Sequence, residues 1–131
     1  MSTDYDYDLA KYVGRPYENF NCLDLVKEFY LDVFNIKVDN YYDGPVPSPS
    51  EVQTLIASNK GEFVQVEMAD VTFGDIVVIR LRGMDCHIGV FIEGGKFIHS
   101  AKTTGSNIDR LSRYRNMISG YYRHRKFLEN E

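Results

Sequence analysis

Residues 87–100 read HIGVFIEGGKFIHS, in which two runs of β-branched and aromatic residues flank Glu93-Gly94-Gly95. Such runs on either side of a glycine-containing turn predict a β-hairpin. Similar patterns predict three further strands, at 63–66, 75–81 and 120–127. On the N-terminal side, apolar periodicity predicts helices at 5–13, 22–34 and 49–59. Helices followed by strands favour an α+β fold, with the N-terminal helices packed on one face of an antiparallel sheet.

The length of the turn decides where the two histidines of this hairpin point. With a three-residue turn, Phe91 pairs with Phe97 and Gly89 with His99, so that His87 and His99 share one face. With a two-residue turn the register slips by one residue and the histidines fall on opposite faces. We favour three residues, because this register pairs two aromatic rings and leaves room for an imidazole beside Gly89.

The helix predicted from Cys22 to about Phe34 places the first cysteine at the buried edge of its first turn. Its apolar residues recur at intervals of three and four, which is typical of a helix packed on a core. Asn21 can cap this helix, and Asp24 lies in the first turn, where a negative charge suits the helix dipole.

Composition limits the classes of function. The chain has 131 residues, of which 44% are hydrophobic and 26% charged, so we expect one folded domain spanning residues 1–131. A net charge of −4 gives no basic field for nucleic acid or anionic membranes, and no apolar run reaches the 18 residues of a membrane span. The acidic N-terminus lacks the apolar stretch of a signal peptide, so we expect the protein in the cytoplasm of the cell that makes it.

A cysteine at a helix N-terminus and two histidines on one sheet face form the arrangement that a thiol hydrolase needs. The helix N-terminus and a nearby imidazolium favour the thiolate of Cys22, which would be the nucleophile. His87 would be the general base, and His99 would bind the far ring nitrogen of His87 and fix its tautomer. The backbone N–H of Cys22 can donate to an oxyanion. This chemistry needs no metal or cofactor.

The chain resembles the NlpC/P60 family of cysteine peptidases over most of its length. The resemblance lies in GRPY-ENFNCLDLV (14–26), FGDIVVI (73–79), HIGVFIEGGKFIHS (87–100) and GYYRHR (120–125). It implies a papain-like α+β core and cleavage of peptide bonds in bacterial peptidoglycan stem peptides. It also implies Cys22 as nucleophile, His87 as base and His99 as the orienting third residue.

The resemblance is closest to the small phage-tail members, whose pattern after the helix is similar to residues 34–41. It therefore implies a place in the virion tail, with other tail proteins as partners. Many bacterial members have Asp-Cys-Ser-Gly-Leu where this chain has Asn21-Cys22-Leu23-Asp24-Leu25, and the larger residues at 23 and 24 would either narrow the groove or change the specificity. Members often bind the oxyanion with a tyrosine upstream of the cysteine, for which Tyr17 is the nearest candidate and Tyr12 the second.

Other interpretations of the same residues are less favoured. Strand alternation sends Cys86 to the face opposite His87, so we expect a core residue there, and neither a zinc site nor a disulfide with Cys22. We expect His124 at the surface. The arginines and lysine at 110–126 are either solvated surface, which we favour, or a docking patch for a partner or anionic glycan.

Two other functions remain open. One is a structural or assembly protein of a phage tail that keeps the fold with little or no hydrolysis. The other keeps the thiol chemistry in an amidase or an acyltransferase.

Overall fold

The computed structural model describes residues 8–38, 50, 52–53, 56–57 and 60–128, and its centre is one six-stranded antiparallel sheet. Across the sheet the strands run in the order β1-β6-β2-β3-β4-β5. In chain order they are β1 (Phe63–Val66), β2 (Ile76–Leu81), β3 (Met84–Phe91), β4 (Lys96–Ala101), β5 (Gly105–Arg110) and β6 (Ile118–His124). The predicted α+β class is confirmed.

Two parts of the strand prediction need correction. Strand β5 was not predicted, because its sequence GSNIDR is polar and lacks the apolar alternation of a half-buried strand. It forms because each of its residues pairs with β4. The last strand was predicted to reach residue 127, but it ends at His124, and Arg125–Leu128 form a helical turn.

The helix that carries the first cysteine is α1 (Cys22–Phe29), which continues as a π-helical turn over Tyr30–Phe34. It ends at Asn35, whose backbone is left-handed with a φ of 55°. The predicted span of 22–34 is therefore confirmed. The predicted N-terminal helix is wrong where it is described, because Leu9–Tyr12 form a single 3₁₀ turn.

The other helical segments are short. Of the helix predicted at 49–59, residues 50, 52–53 and 56–57 are helical, and the rest lie outside the described residues. Leu111–Tyr114 form a 3₁₀ turn between β5 and β6. No helix in the described ranges is long and apolar enough to cross a membrane.

A capping box sets the start of α1. The Asn21 side chain accepts the N–H groups of Leu23 and Asp24, both at 2.9 Å. The Asp24 carboxylate accepts the Asn21 N–H in return at 3.1 Å. These bonds satisfy donors that a helix N-terminus leaves open, and they leave the N–H of Cys22 outside the box.

The core has two layers, one on each face of the sheet. Helix α1 covers one face, where its apolar stripe packs on residues of β2, β3 and β4, among them Ile76, Ile88 and Ile98. The opposite face carries a smaller cluster around Val77, Ile79, Phe97 and Tyr121. The predicted packing of α1 on one face is confirmed.

His124, expected at the surface, is buried. Its ring lies 5.0 Å from Phe63 and 6.0 Å from Tyr30, measured between ring centroids, and it therefore belongs to the aromatic packing at the end of α1. Alternation puts His124 on the same face as Tyr122, and residues from three other elements, Tyr30, Phe63 and Phe127, cover its ring there.

Candidate active site

The hairpin has the register that places both histidines on one face. Phe91 pairs with Phe97 and Gly89 with His99, as predicted for the three-residue turn. Nε2 of His87 lies 2.7 Å from Nδ1 of His99, which is hydrogen-bond distance. The sequence therefore predicts correctly that the two imidazoles meet.

Gly89 makes this close pairing possible. A Cβ at this position would lie 2.6 Å from Cδ2 of Phe97, 2.8 Å from the carbonyl oxygen of Ile98 and 2.9 Å from Cβ of His99. These distances are shorter than the van der Waals contacts that a Cβ atom makes, so only glycine allows the His99 side chain to pack against β3.

His99 is the more enclosed of the two histidines, with 1% of its surface exposed. Its ring lies 4.4 Å from that of Phe97 and 5.5 Å from that of Tyr114, centroid to centroid. Its Nε2 faces Oδ2 of Asp109 at 3.5 Å. Burial lowers the pKa of His99, and the charge of Asp109 opposes this effect.

His87 is neutral at physiological pH. Burial, together with repulsion from His99 when both are charged, lowers the pKa of His87 to about 3. A neutral imidazole has one nitrogen free to accept a proton, which a general base requires.

Cys22 is the first residue of α1 and is fully buried in the cluster under the helix. Burial raises the pKa of its thiol to about 12, and the backbone N–H of Ile88 partly counteracts this. The thiol thus adjoins the residue that follows His87. Within the described part of the chain, however, no hydrogen bond links the Cys22 thiol to either imidazole. The structure brings the two histidines together, and it leaves the sulfur enclosed in the cluster under α1, next to Ile88.

The two tyrosines considered for an oxyanion site occupy different places. Tyr17 is buried in the segment five residues before Cys22, and a role there stays a prediction. The hydroxyl of Tyr12 donates to the carboxylate of Asp32 at 2.8 Å, so its hydrogen is already engaged.

Cys86 is half-buried and packs against the cluster under α1, on the side predicted from strand alternation. Both cysteines carry free thiols. Among the described residues, no group of three or more histidine, cysteine or acidic side chains is placed to hold a metal ion.

Asp109 is a residue of the site that sequence reasoning missed. It lies on β5 opposite Phe97, one diagonal step from His99. Once β5 is taken as a strand after the turn at Gly105, simple alternation places its side chain near His99.

The basic residues at 110–126 do not form one patch. Arg123 pairs with the buried Asp75, through Nε to Oδ1 and Nη2 to Oδ2, both at 3.0 Å.

A surface cavity of about 530 Å³ beside β5 is lined by Lys96, Ile108, Asp109, Arg110, Ser112 and Arg113.

Comparison with known proteins agrees with the fold and identifies a family. The sequence model of the NlpC/P60 family matches residues 7–128. The NlpC/p60 domain of the peptidoglycan hydrolase SagA is 16% identical, with a TM-score of 0.63 over 87% of this chain and 91% of that one. No curated protein sequence matches the chain.

Two longer bacterial proteins of the same family share the fold. An NLP/P60 family protein from Staphylococcus aureus, described as similar to lipoprotein, is 19% identical, with a TM-score of 0.62 over 95% of this chain and 45% of that one. An NlpC/P60 family protein from Bacillus cereus is 20% identical, with a TM-score of 0.57 over 80% of this chain and 32% of that one. The chain thus spans less than half the length of these two proteins.

Proposed function

The chain belongs to the NlpC/P60 family, whose members are generally peptidoglycan hydrolases, and from this premise we propose that it is a cysteine peptidase acting on peptidoglycan stem peptides. The observation that carries the proposal is the distance of 2.7 Å between the ring nitrogens of His87 and His99, with Cys22 as the first residue of α1. We assign Cys22 as nucleophile, His87 as general base and His99 as the residue that orients His87.

The reaction proceeds through an acyl-enzyme. His87 takes the proton of the Cys22 thiol, and the sulfur attacks the carbonyl carbon of the peptide bond. The Cys22 N–H, which the capping box leaves open, donates to the oxyanion. His87 returns the proton to the leaving amine, the C–N bond breaks, and a thioester remains on Cys22. His87 then takes a proton from water, whose oxygen attacks the thioester carbonyl carbon; the C–S bond breaks, the carboxylic acid leaves, and His87 returns the proton to the Cys22 sulfur.

This mechanism requires Cys22 to become accessible when substrate binds, because the sulfur is fully buried in the free protein. The required movement must also bring Sγ within hydrogen-bond reach of His87. Transfer of the thiol proton to His87 leaves an imidazolium next to the thiolate. The attraction between these two charges compensates for part of the free-energy cost that burial imposes on the thiolate.

Replacement of the nucleophile tests the proposal. Cys22→Ala should abolish release of peptide fragments from purified peptidoglycan, as measured by mass spectrometry of the soluble products. Cys86→Ala is the matched control, because it removes the other free thiol of the chain, which has no assigned role in the reaction; it should retain activity. Digestion that persists in pure Cys22→Ala protein would show that the mechanism is wrong. The masses of the products from defined muropeptides show which bond is cleaved. The bond in turn distinguishes a peptidase from an amidase or an acyltransferase.

We further propose that the protein acts from a phage tail. The similarity of residues 34–41 to the small phage-tail members supports this place, in which the virion would carry the enzyme to the wall. Proteomic analysis of purified virions from a lysate containing the protein should find it in the tail fraction, and its absence from intact virions would contradict the proposal.

The burial of Cys22 favours a second candidate, a tail assembly protein that keeps the fold without hydrolysis. Labelling by iodoacetamide near pH 7, with and without a soluble muropeptide, separates the two candidates. If Cys22 is a nucleophile that substrate exposes and His87 activates, its labelling rate should rise with the muropeptide, and this rise should be lost in His87→Ala protein. If the domain is only structural, Cys22 should stay as inert as a buried thiol in both proteins.

A further inference from the structure

Building on the proposed function, we infer that Asp109 is a positioning residue that sets which nitrogens of the His87–His99 pair carry hydrogen. The carboxylate Oδ2 lies 3.5 Å from Nε2 of His99. The side chains of the two residues are 1% and 13% exposed, so little solvent reaches the space between them. In the described part of the chain, His99 Nε2 is a buried nitrogen with no hydrogen bond of standard geometry, and the carboxylate is the acceptor that faces it.

The histidine pair has two neutral arrangements. Only one hydrogen can lie between His87 Nε2 and His99 Nδ1, which are 2.7 Å apart. Either His87 donates it, which leaves His87 Nδ1 with a lone pair, or His99 donates it, which leaves His87 protonated on Nδ1. Only the first arrangement gives His87 a free nitrogen that can accept a proton from a thiol.

Asp109 favours the first arrangement. A carboxylate can only accept hydrogen bonds, so its oxygen is attracted to an N–H on His99 Nε2 and repelled by a lone pair there. With hydrogen on Nε2, the Nδ1 of neutral His99 becomes an acceptor and His87 must donate from its own Nε2. The Asp109 carboxylate, acting through the His99 ring, therefore determines which nitrogen of His87 is free to accept a proton.

The surroundings of Asp109 hold it in this orientation. The Tyr114 hydroxyl donates to Oδ2 at 3.3 Å, and the Arg110 N–H donates to Oδ1 at 3.0 Å. Nε of Arg113 lies 3.5 Å from Oδ1, but that side chain is 72% exposed and its contribution is small. A purely structural role for Asp109 would use these contacts alone and would leave the histidine tautomers unaffected.

Long-range ¹H–¹⁵N correlation spectra of protein labelled with ¹⁵N-histidine read the tautomers directly. At neutral pH, both His87 and His99 should carry hydrogen on Nε2. Asp109→Asn can present an amide N–H to His99 Nε2, and Asp109→Leu removes the acceptor, so at least one of them should shift His99 toward the Nδ1–H tautomer. Asp85→Asn is the matched control, because it removes the same charge from a carboxylate that pairs with Arg80; it should leave both tautomers unchanged.

The inference fails if wild-type His99 carries hydrogen on Nδ1, or if neither Asp109 variant changes its tautomer. In turnover of a defined muropeptide, Asp109→Asn should lower kcat at least about 10-fold with KM changed less than about 3-fold. The spectra do not depend on turnover and can be recorded in Cys22→Ala protein. A tautomer shift in a protein without hydrolysis would therefore refute the proposed function alone, and hydrolysis without a tautomer shift would refute the role of Asp109 alone.

Discussion

At the scale of single residues, burial dominates the chemistry of the candidate site. Burial lowers the pKa of His87 to about 3 and raises that of Cys22 to about 12, because loss of hydration disfavours the charged form of each group. Thiol and imidazole are therefore both neutral at pH 7 in the free protein. In the proposed mechanism, proton transfer between them therefore requires that they approach each other, so that activation of Cys22 would depend on substrate binding.

The pKa of His87 predicts how stability depends on pH. Since it falls from 6.5 to about 3 on folding, the unfolded chain binds more protons between these values, and the free energy of unfolding decreases as the pH falls below about 6.5. For His87 alone the loss between pH 7 and pH 5 is about 2 kcal/mol. Urea denaturation at the two pH values should show this loss, and His87→Gln should show a smaller one. Equal losses in both proteins would contradict the assignment.

At the scale of elements, the β3–β4 hairpin is the unit that builds the histidine pair. The turn at 93–95 sets the register, and left-handed backbone at Gly94 and Gly95, with φ of 65° and 71°, closes it. One residue of slip would place His87 and His99 on opposite faces of the sheet. The hairpin and helix α1 are joined by the Ser100 hydroxyl, which donates to the carbonyl of Phe20 at 2.5 Å and holds the start of α1 against β4.

Gly89→Ala should disrupt this element. The added Cβ meets the Phe97 ring and the backbone of β4, so β3 and β4 must separate, and we expect a loss of about 1–3 kcal/mol in the free energy of unfolding. Gly61→Ala is the matched control, because nothing lies within 4 Å of its Cβ. Urea denaturation of the two variants measures the difference. An unchanged free energy of unfolding in Gly89→Ala would show that β3 and β4 do not pack as closely at this position as the structure indicates.

At the scale of the whole molecule, one buried ion pair ties distant parts of the sheet together. Asp75 precedes β2, is fully buried, and accepts hydrogen bonds from Arg123 on β6 and from the Thr72 N–H. Nη2 of Arg123 also donates to the carbonyl of Asp70 at 2.8 Å. Burial raises the pKa of Asp75, and Arg123 counteracts this rise. The pair thus holds the loop before β2 against the last strand.

Arg123→Ala should be strongly destabilising, because it leaves the Asp75 carboxylate buried without its cation. We expect a loss of about 3 kcal/mol, against less than about 1 kcal/mol for Arg80→Ala, whose pair with Asp85 is exposed on the arginine side. Thermal and urea denaturation at pH 7 measure both. Similar losses in the two variants would mean that the Asp75–Arg123 pair adds little to the fold.

The hairpin register, the extent and cap of α1, and the contact between His87 and His99 can be predicted from local sequence patterns. These features follow from alternation, helical periodicity and turn residues, which act over a few neighbouring positions. Three other features are visible only in the folded chain: polar β5 joins the sheet, Asp109 faces His99, and Cys22 is enclosed beside Ile88. β5 pairs with β4 through backbone hydrogen bonds, which leave no apolar pattern in the sequence, and Cys22 is buried by residues from distant parts of the chain.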